Sequence, residues 1–511
     1  MTAPQLPRSI ADVLRNPRHL PREVLAGVVT TLALVPEVIS FAVVAGVDPM
    51  TALVASVVLV LAMSFLGGRP GVITAAAGSV ALVVAPLTRE HGTEYLLPTI
   101  FLAGIIQVLF GVAGLARLMR YVPRSVMLGF VNALGVLIFM AQVPHLLHGG
   151  GIGVILFAVT IVIVLLLPRI TKVVPAPLVA IVVVTAVVMI WQLQVPNVAD
   201  EGRIGGGLPG FTPLEVPLNL ETLRLILPTA ISVALVGLME SLLTAKLVDD
   251  ITETHSKKGR ESWGLGIANM LSAVYGGTGG CAMIGQTVLN VKTSGGRTRV
   301  STFAAGVFLL GLITALSEVM GQIPMVSLAA VMMVVAVTTV DWHSVHPRTL
   351  LRMPFPETLV MVVTIAVVVA TSNLAYGVLA GVLLAMVLFA RRIAHVISVT
   401  RVETESDEPG AAPGAESAAA PGAESMVRYR VRGPLFFASS NDLVEHFSYA
   451  EDPSHVVIDL SQAQIWDAST VAALDAIETH YAKHGATVSI EGLDEHSTKF
   501  HGRLTGRLGG A

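Results

Sequence analysis

Tyr275-Gly-Gly-Thr-Gly-Gly280-Cys-Ala-Met-Ile-Gly285-Gln-Thr-Val-Leu-Asn290-Val-Lys-Thr-Ser-Gly295-Gly-Arg-Thr-Arg299 is too short and too rich in glycine to form a full membrane span. Yet it lies among long apolar runs. In lipid every backbone N–H and C=O needs a partner, so a broken helix at membrane depth survives only against protein or a watery cavity. The start of such a half-helix offers free N–H groups and positive dipole charge to an anion. A similar interruption runs from Gly67 to Pro86, where Gly71 to Ala77 precedes Gly78-Ser79 and a brief apolar helix. Two broken segments in matching places of two halves are the sequence pattern of a transporter site.

The surrounding composition fits that setting. Of the 511 residues, 53% are hydrophobic and 13% charged, which excludes an ordinary soluble domain. The net charge of -3 and the lack of a basic block with aromatics argue against nucleic acid as a partner. A single cysteine, Cys281, excludes an internal disulfide and reads as a small apolar residue in a packed helix. No cofactor motif, metal-ligand set or nucleophile–base set is present in the pattern, so the chain does not read as an enzyme.

A span needs about 20 apolar residues. Such windows fall near 24–46, 50–66, 95–118, 124–146, 151–168, 173–195, 226–248, 261–276, 299–319, 323–340, 357–373 and 375–397. With the two broken segments they predict 14 crossings, seven on each side of the polar stretch from Pro196 to Glu221. Basic residues gather at alternate ends: Arg117/Arg120/Arg124, Arg169/Lys172, Lys257/Lys258/Arg260, Arg297/Arg299, Arg348/Arg352 and Arg391/Arg392. By the positive-inside rule both termini are cytoplasmic. The two broken segments then enter from opposite sides, as in an inverted seven-plus-seven repeat.

The expected domains are a cytoplasmic lead-in over 1–22, a transmembrane domain over 23–400, a flexible linker rich in Ala, Gly, Pro, Glu and Ser over 401–425, and a small cytoplasmic α/β domain over 426–511. The last reads as strands at Val427–Val431, His455–Leu460 and Thr487–Glu491, with helices near Asn441–His446 and Thr470–His484. Ser469, in the turn after Asp467, reads as the N-cap of the second helix, with a phosphorylation site as the alternative.

Two glutamates sit deep in apolar segments, Glu37 after Pro36 and Glu240 in the eighth span. A charge there costs about 3 kcal/mol, so such groups are functional candidates and can carry a proton. Glu37 lies 41 residues before Gly78, and Glu240 lies 45 before Gly285, so the halves place them alike. Glu240, Ser241 and Thr244 share a helical face that suits a cation or steadies the facing half-helix. Phe41, one turn after Glu37, would line the same cavity, while Gln107, Asn132, Gln142 and Asn269 read as interhelical hydrogen-bond partners.

These residues resemble the bacterial sulfate permease (SulP) family, relatives of the vertebrate SLC26 anion transporters, over nearly the whole chain. The matching pieces are Pro36-Glu37-Val-Ile-Ser-Phe41, Gly78-Ser79, Glu240-Ser241-Leu-Leu-Thr244, Gly264 to Asn269, Gly280-Cys-Ala-Met-Ile-Gly-Gln-Thr-Val-Leu-Asn290 and Ser294-Gly-Gly-Arg297; the tail is similar to a STAS domain. The resemblance implies core and gate domains with discontinuous segments three and ten, a homodimer in the inner membrane, and elevator-type secondary transport of a small anion. It implies a substrate pocket of Glu37, Phe41, Gly78, Ser79, Val80, Gly285, Gln286 and Thr287, with Glu240 and Thr244 behind it. Many relatives have Ser-Arg where this chain has Gly285-Gln286, which shifts weight to the two half-helix dipoles. Where sodium-coupled bicarbonate relatives often carry an acid one turn after Glu240, this chain has Thr244. Proton coupling through Glu37 is therefore expected, with sodium, a nucleobase:proton symporter or an anion channel as alternatives.

Overall fold

A computed structural model of the chain describes Val13 and residues 19–114, 122–148, 150–171, 174–202, 210–217, 219–394, 397–403 and 426–507. Arg8, Arg15 and Arg18 of the expected lead-in, Arg117, Arg120 and Lys172 of the basic clusters, and 404–425 of the expected linker lie outside those residues. The chain divides into two compact units, Met1–Val382 and Leu383–Ala511.

The first unit is helical. Its principal elements are α1 (Leu20–Ala45), α2 (Pro49–Leu66), β1 (Thr74–Ala75), α3 (Gly78–His91), α4 (Leu96–Val112), α5 (Arg124–His148), α6 (Gly150–Ile170), α7 (Ala176–Ile190), α8 (Leu220–Thr252), α9 (Lys258–Val274), β2 (Cys281–Ala282), α10 (Ile284–Val288), α11 (Arg299–Ala315), α12 (Met325–Thr339), α13 (Phe355–Thr371) and α14 (Leu374–Ala394). Among the described residues, seven helices are long and apolar enough to cross a membrane, and α7, α11, α12 and α13 are shorter apolar helices. The expected span 299–319 breaks at Leu316, after which Ser317–Gly321 forms a separate turn of helix.

Packing repeats on a shift of seven helices. Helix α1 packs on α11 as α8 packs on α4, and α2 packs on α11 as α9 packs on α4. Likewise α5 packs on α13 as α12 packs on α6, while α2 with α9 and α5 with α12 are their own counterparts. Helices α1–α4 with α8–α11 thus form one bundle and α5–α7 with α12–α14 the other packing set. The fold is the expected polytopic helical one.

Helix ends at the charged side are held by side chains that the charge pattern had marked only as flanks. Arg260 donates to the carbonyls of Leu66 (3.0 Å) and Phe65 (2.8 Å), and Arg299 to those of Ser64 (2.7 Å) and Gly67, so two guanidinium groups close the last turn of α2. Glu261, fully buried, accepts from the N–H groups of Gly68 (2.6 Å) and Arg69 (3.0 Å). Glu23, also buried, accepts from the backbone of Arg297 (2.9 Å) and Thr298 (3.1 Å).

The second unit contains a four-stranded sheet in the order β3 (Ser398–Glu403), β4 (Met426–Leu435), β5 (His455–Ile465), β6 (Thr487–Glu491). The β3–β4 pair is antiparallel and the other two are parallel. Alternate residues Val427, Tyr429 and Val431 turn inward, where α15 (Phe437–Glu445), α16 (Ala468–Lys483) and α17 (Glu495–Leu504) supply Leu443, Leu474, Ile477 and Leu504. Strand β3 was not expected: the boundary drawn at 400 and 401 falls inside it, because its alternation is only six residues long and sits between a span and a low-complexity run. The N-cap of α16 is Asp467, whose carboxylate accepts from Thr470 N at 3.2 Å, and Ser469 lies inside the helix. The shorter side chain expected there loses to a carboxylate already aimed at the first turn.

Candidate functional site

Strands β1 and β2, two residues each, cross antiparallel with Thr74 opposite Ala282 and Ala75 opposite Cys281. They account for the backbone of both broken segments. Beyond the pair, Met283 N donates to Ile73 O (2.8 Å), Ile73 N to Thr287 Oγ1 (3.0 Å), Ala76 N to Ser56 Oγ (3.1 Å), Gly280 N to Asn269 Oδ1 (2.9 Å) and Ala282 N to Ser241 Oγ (3.0 Å). Glycine is required at 280, where the Ala75 carbonyl occupies the space a Cβ would take. Asn269 also donates to Gln107 Oε1 at 2.8 Å, as an interhelical partner should. Asn132 likewise bonds across helices, to Ser344 Oγ at 2.8 Å in the short helix Trp342–Val345 and to the backbone of Asp341, whereas Gln142 Nε2 has no hydrogen-bond partner among the described residues.

From that crossing α3 and α10 run apart, and neither helix start is capped by a side chain. A cavity of about 350 Å³ lies before them. Glu37, Phe41, Gly78, Ser79, Glu240, Gly285 and Gln286 line it on one side; Phe130, Leu134 and Ile138 of α5 and Thr338 and Thr339 of α12 line the other. Val80 is buried in the packing of α3, and the Thr287 hydroxyl serves the Ile73 N–H; neither side chain lines the cavity. The α5 and α12 residues were missed because a wall of Phe, Leu, Ile and Thr has the composition of any packed helix.

Each half's carboxyl group shares the cavity with the broken segment of the other half. Glu37, half-buried on α1, lines the cavity together with the Gln286 side chain at the start of α10. Glu240, buried on α8, is hydrogen-bonded by Ser79 Oγ at the start of α3 and by Cys281 Sγ on β2 at 3.0 Å. The sulfur lies 3.4 Å from Ser79 Oγ. Cys281 is thus not a filler in a packed helix; it sits in the strand crossing and donates to a carboxyl. A lone cysteine among alanine and methionine carries no signal of that in sequence. The Thr244 hydroxyl turns back to Glu240 O (2.8 Å) and toward Ala282 O (3.5 Å), so Ser241 and Thr244 both steady β2, and neither lines the cavity. Among the described residues no group of three or more His, Cys, Asp or Glu is placed to hold a metal ion.

A cavity at the starts of two uncapped half-helices, lined by Glu37, Glu240 and Gln286 among apolar side chains in a polytopic helical fold, is that of a membrane transport protein. The profile of the Sulfate permease family matches residues 20–152 and 149–364, and that of the STAS domain matches 417–499. The chain belongs to the sulfate permease family and carries a C-terminal STAS domain. It is similar to YbaR of Bacillus subtilis (strain 168), at 44% identity over 94% of this chain and 96% of YbaR. It is also similar to the bicarbonate transporter BicA of Picosynechococcus sp. (strain ATCC 27264 / PCC 7002 / PR-6), at 25% identity over 90% of this chain and 87% of BicA. The fold is that of the murine Solute Carrier 26 family member A9 (Slc26a9) anion transporter, with a TM-score of 0.79 at 18% identity over 94% of this chain and 87% of that one. These relatives are transporters, not enzymes.

Proposed function

We propose that the chain is a secondary active anion transporter that carries a small anion, such as sulfate, bicarbonate or a dicarboxylate like fumarate or succinate, together with a proton. The observation that carries this reading is the cavity itself, where the uncapped starts of α3 and α10 meet one half-buried carboxyl, Glu37. Uncapped N–H groups and the dipole of α3 favour negative charge. Among the described residues no Arg or Lys lines the cavity, so there the anion is not permanently paired. A proton on Glu37 would remove the one charge that opposes it from α1. The bicarbonate transport named for BicA and the anion transport named for Slc26a9 agree with an anionic cargo.

The packing division supports an elevator-type cycle in which α1–α4 with α8–α11 carry the cavity past α5–α7 and α12–α14. On this reading the 14 segments form an inverted repeat in the bacterial inner membrane, with both termini cytoplasmic and two copies to a dimer. Proton coupling is favoured over sodium because the Thr244 hydroxyl is committed to two carbonyls.

Uptake of labelled sulfate, fumarate, succinate and bicarbonate into proteoliposomes tests the proposal. An inward proton gradient is expected to accelerate uptake of at least one of them, and Glu37→Gln to reduce the acceleration. A rate indifferent to pH and unchanged in Glu37→Gln would end the coupling claim; uptake of none of the four would end the anion reading.

A further inference from the structure

The polar groups at the two half-helix starts, Gln286 beside the cavity with Glu37 and Ser79 on Glu240, are chemically unequal. Gln286 would have to turn its whole amide to change what it presents to the cavity. Ser79 needs only to rotate its hydroxyl about Cβ–Oγ, because one O–H serves as donor while two lone pairs remain to accept. We propose that Ser79 is a hydrogen-bond inverter: its O–H points into Glu240 when that carboxyl is ionised, and into the cavity, toward the anion, when Glu240 holds a proton. The proposal rests on the anion-transport reading and gives that site a device for coupling.

The geometry needs one acceptor shared by two donors, and the structure has it. Ser79 Oγ and Cys281 Sγ both bond Glu240 Oε2, and both Ser79 and Glu240 line the cavity. With Glu240 ionised, the carboxylate takes both hydrogens, and Ser79 turns lone pairs to the cavity, which repel an anion. When a proton from solution forms an O–H on Glu240, that O–H donates to Ser79 Oγ. The Ser79 hydrogen stays on its own oxygen and swings to the cavity as a donor at the start of α3. No proton passes between the two residues. The thiol continues to hold the carboxyl oxygen in place, so proton and anion enter as a pair.

The titratable groups around Glu240 are few. Among the described residues, α1 contributes Glu37 on the cavity wall and β2 contributes Cys281. The packed helices α4 and α9 bring the neutral Gln107 and Asn269, and α10 brings Gln286. The cavity faces of α5 and α12 bring no charge. Removing Glu37 therefore leaves Glu240 as the one carboxyl lining the cavity.

The experiment is binding of sulfate, with fumarate in parallel, to full-length purified protein over a pH series, in the Glu37→Gln background. That background is expected to keep a response in which affinity falls about tenfold per pH unit once Glu240 is ionised, one proton per anion. Adding Glu240→Gln supplies a permanent N–H donor to Ser79, and affinity should stay at the acid-side level at every pH. Adding Ser79→Ala should also flatten the response, but with binding about 10- to 100-fold weaker, the loss of a hydrogen bond to a charged group. Ser79→Thr should restore both affinity and slope. A slope that persists in Glu37→Gln/Glu240→Gln or in Glu37→Gln/Ser79→Ala overturns the inverter. So does loss of all binding in Glu37→Gln/Glu240→Gln when its melting temperature is unchanged; if that variant does not fold, the Ser79 pair decides. A response already flat in Glu37→Gln assigns coupling to Glu37 alone and overturns the inverter while the transport reading stands. Wild-type protein that binds neither sulfate nor fumarate removes support for the transport reading, and the inverter with it.

Discussion

Glu240 on α8 and Ser79 at the start of α3 are 161 residues apart in sequence and hydrogen-bonded inside the bundle. Thr287 of α10 makes the reciprocal link, its hydroxyl accepting the Ile73 N–H of the other half at 3.0 Å. Each half-helix is therefore held by the half of the chain to which it does not belong. A segment with a broken backbone at membrane depth is costly unless its polar groups find partners, and here the partners come from across the repeat. The cavity and the means of holding it open are one construction.

Ser241 tests how much the crossing depends on that bracing. Its hydroxyl accepts the Ala282 N–H at 3.0 Å, and the site is sealed from solvent. Ser241→Ala leaves a buried donor without a partner, a loss of about 1–3 kcal/mol. Thermal unfolding in detergent should show the loss, and uptake should fall with it because β2 carries the start of α10. An unchanged melting temperature would mean that another acceptor reaches Ala282.

Gly78 and Phe41 form a second pair. A Cβ built on Gly78 would lie 2.5 Å from the Phe41 ring, and the ring is buried with 5% exposure. Gly78→Ala must displace the ring or α3, and it is expected to abolish most uptake. Phe41→Ala opens space there, so the double variant should recover part of the activity lost by Gly78→Ala. Effects that simply add would show that the ring is not what excludes a side chain at 78.

Much of the helical fold was legible because the spans are long apolar runs and the charges mark their ends. The broken segments were legible too, since glycine clusters such as Gly276 to Gly280 cannot form a lipid-facing helix. What the sequence could not carry was pairing across the halves. Nothing local to Ser79 says that it meets Glu240, and nothing local to Gln286 says that it lines a cavity with Glu37. The acids at helix ends were hidden for another reason: Glu23 lies beside Arg22, and Glu261 beside Arg260, so both look like solvated charge although both are buried. Strand β3 was missed because its partner β4 follows only after a long low-complexity stretch.

In the STAS domain Asp467 does double duty. Its Oδ1 caps α16 through Thr470 N at 3.2 Å, and its Oδ2 accepts Phe437 N at 2.6 Å, at the start of α15. Asp467→Ala should cost about 0.5–2 kcal/mol per cap, so a fall at or above the top of that range is expected. Ser469→Ala should be near neutral, because Ser469 makes no cap bond. Unfolding of residues 397–511, which enclose their own apolar core, compares the two; equal losses would return the capping role to Ser469.

The same domain should lose stability in acid through Asp459. The Ser461 hydroxyl and N–H, the latter at 3.0 Å, hold the Asp459 carboxyl below the usual range, and Arg428 and Arg430 at 3.9 and 3.6 Å add to the effect. A carboxyl depressed by folding stabilises the fold above its unfolded value of about 3.9. That contribution disappears as pH falls through the folded value, because the unfolded chain then binds the proton more readily. Asp459→Asn removes it at every pH, so the variant should be less stable than wild type at about pH 7 and should converge on it as the pH falls below the usual carboxylate range through the folded value. Denaturant unfolding of residues 397–511 across that range measures the difference. A gap that stays constant with pH would show that Asp459 acts by shape rather than by charge.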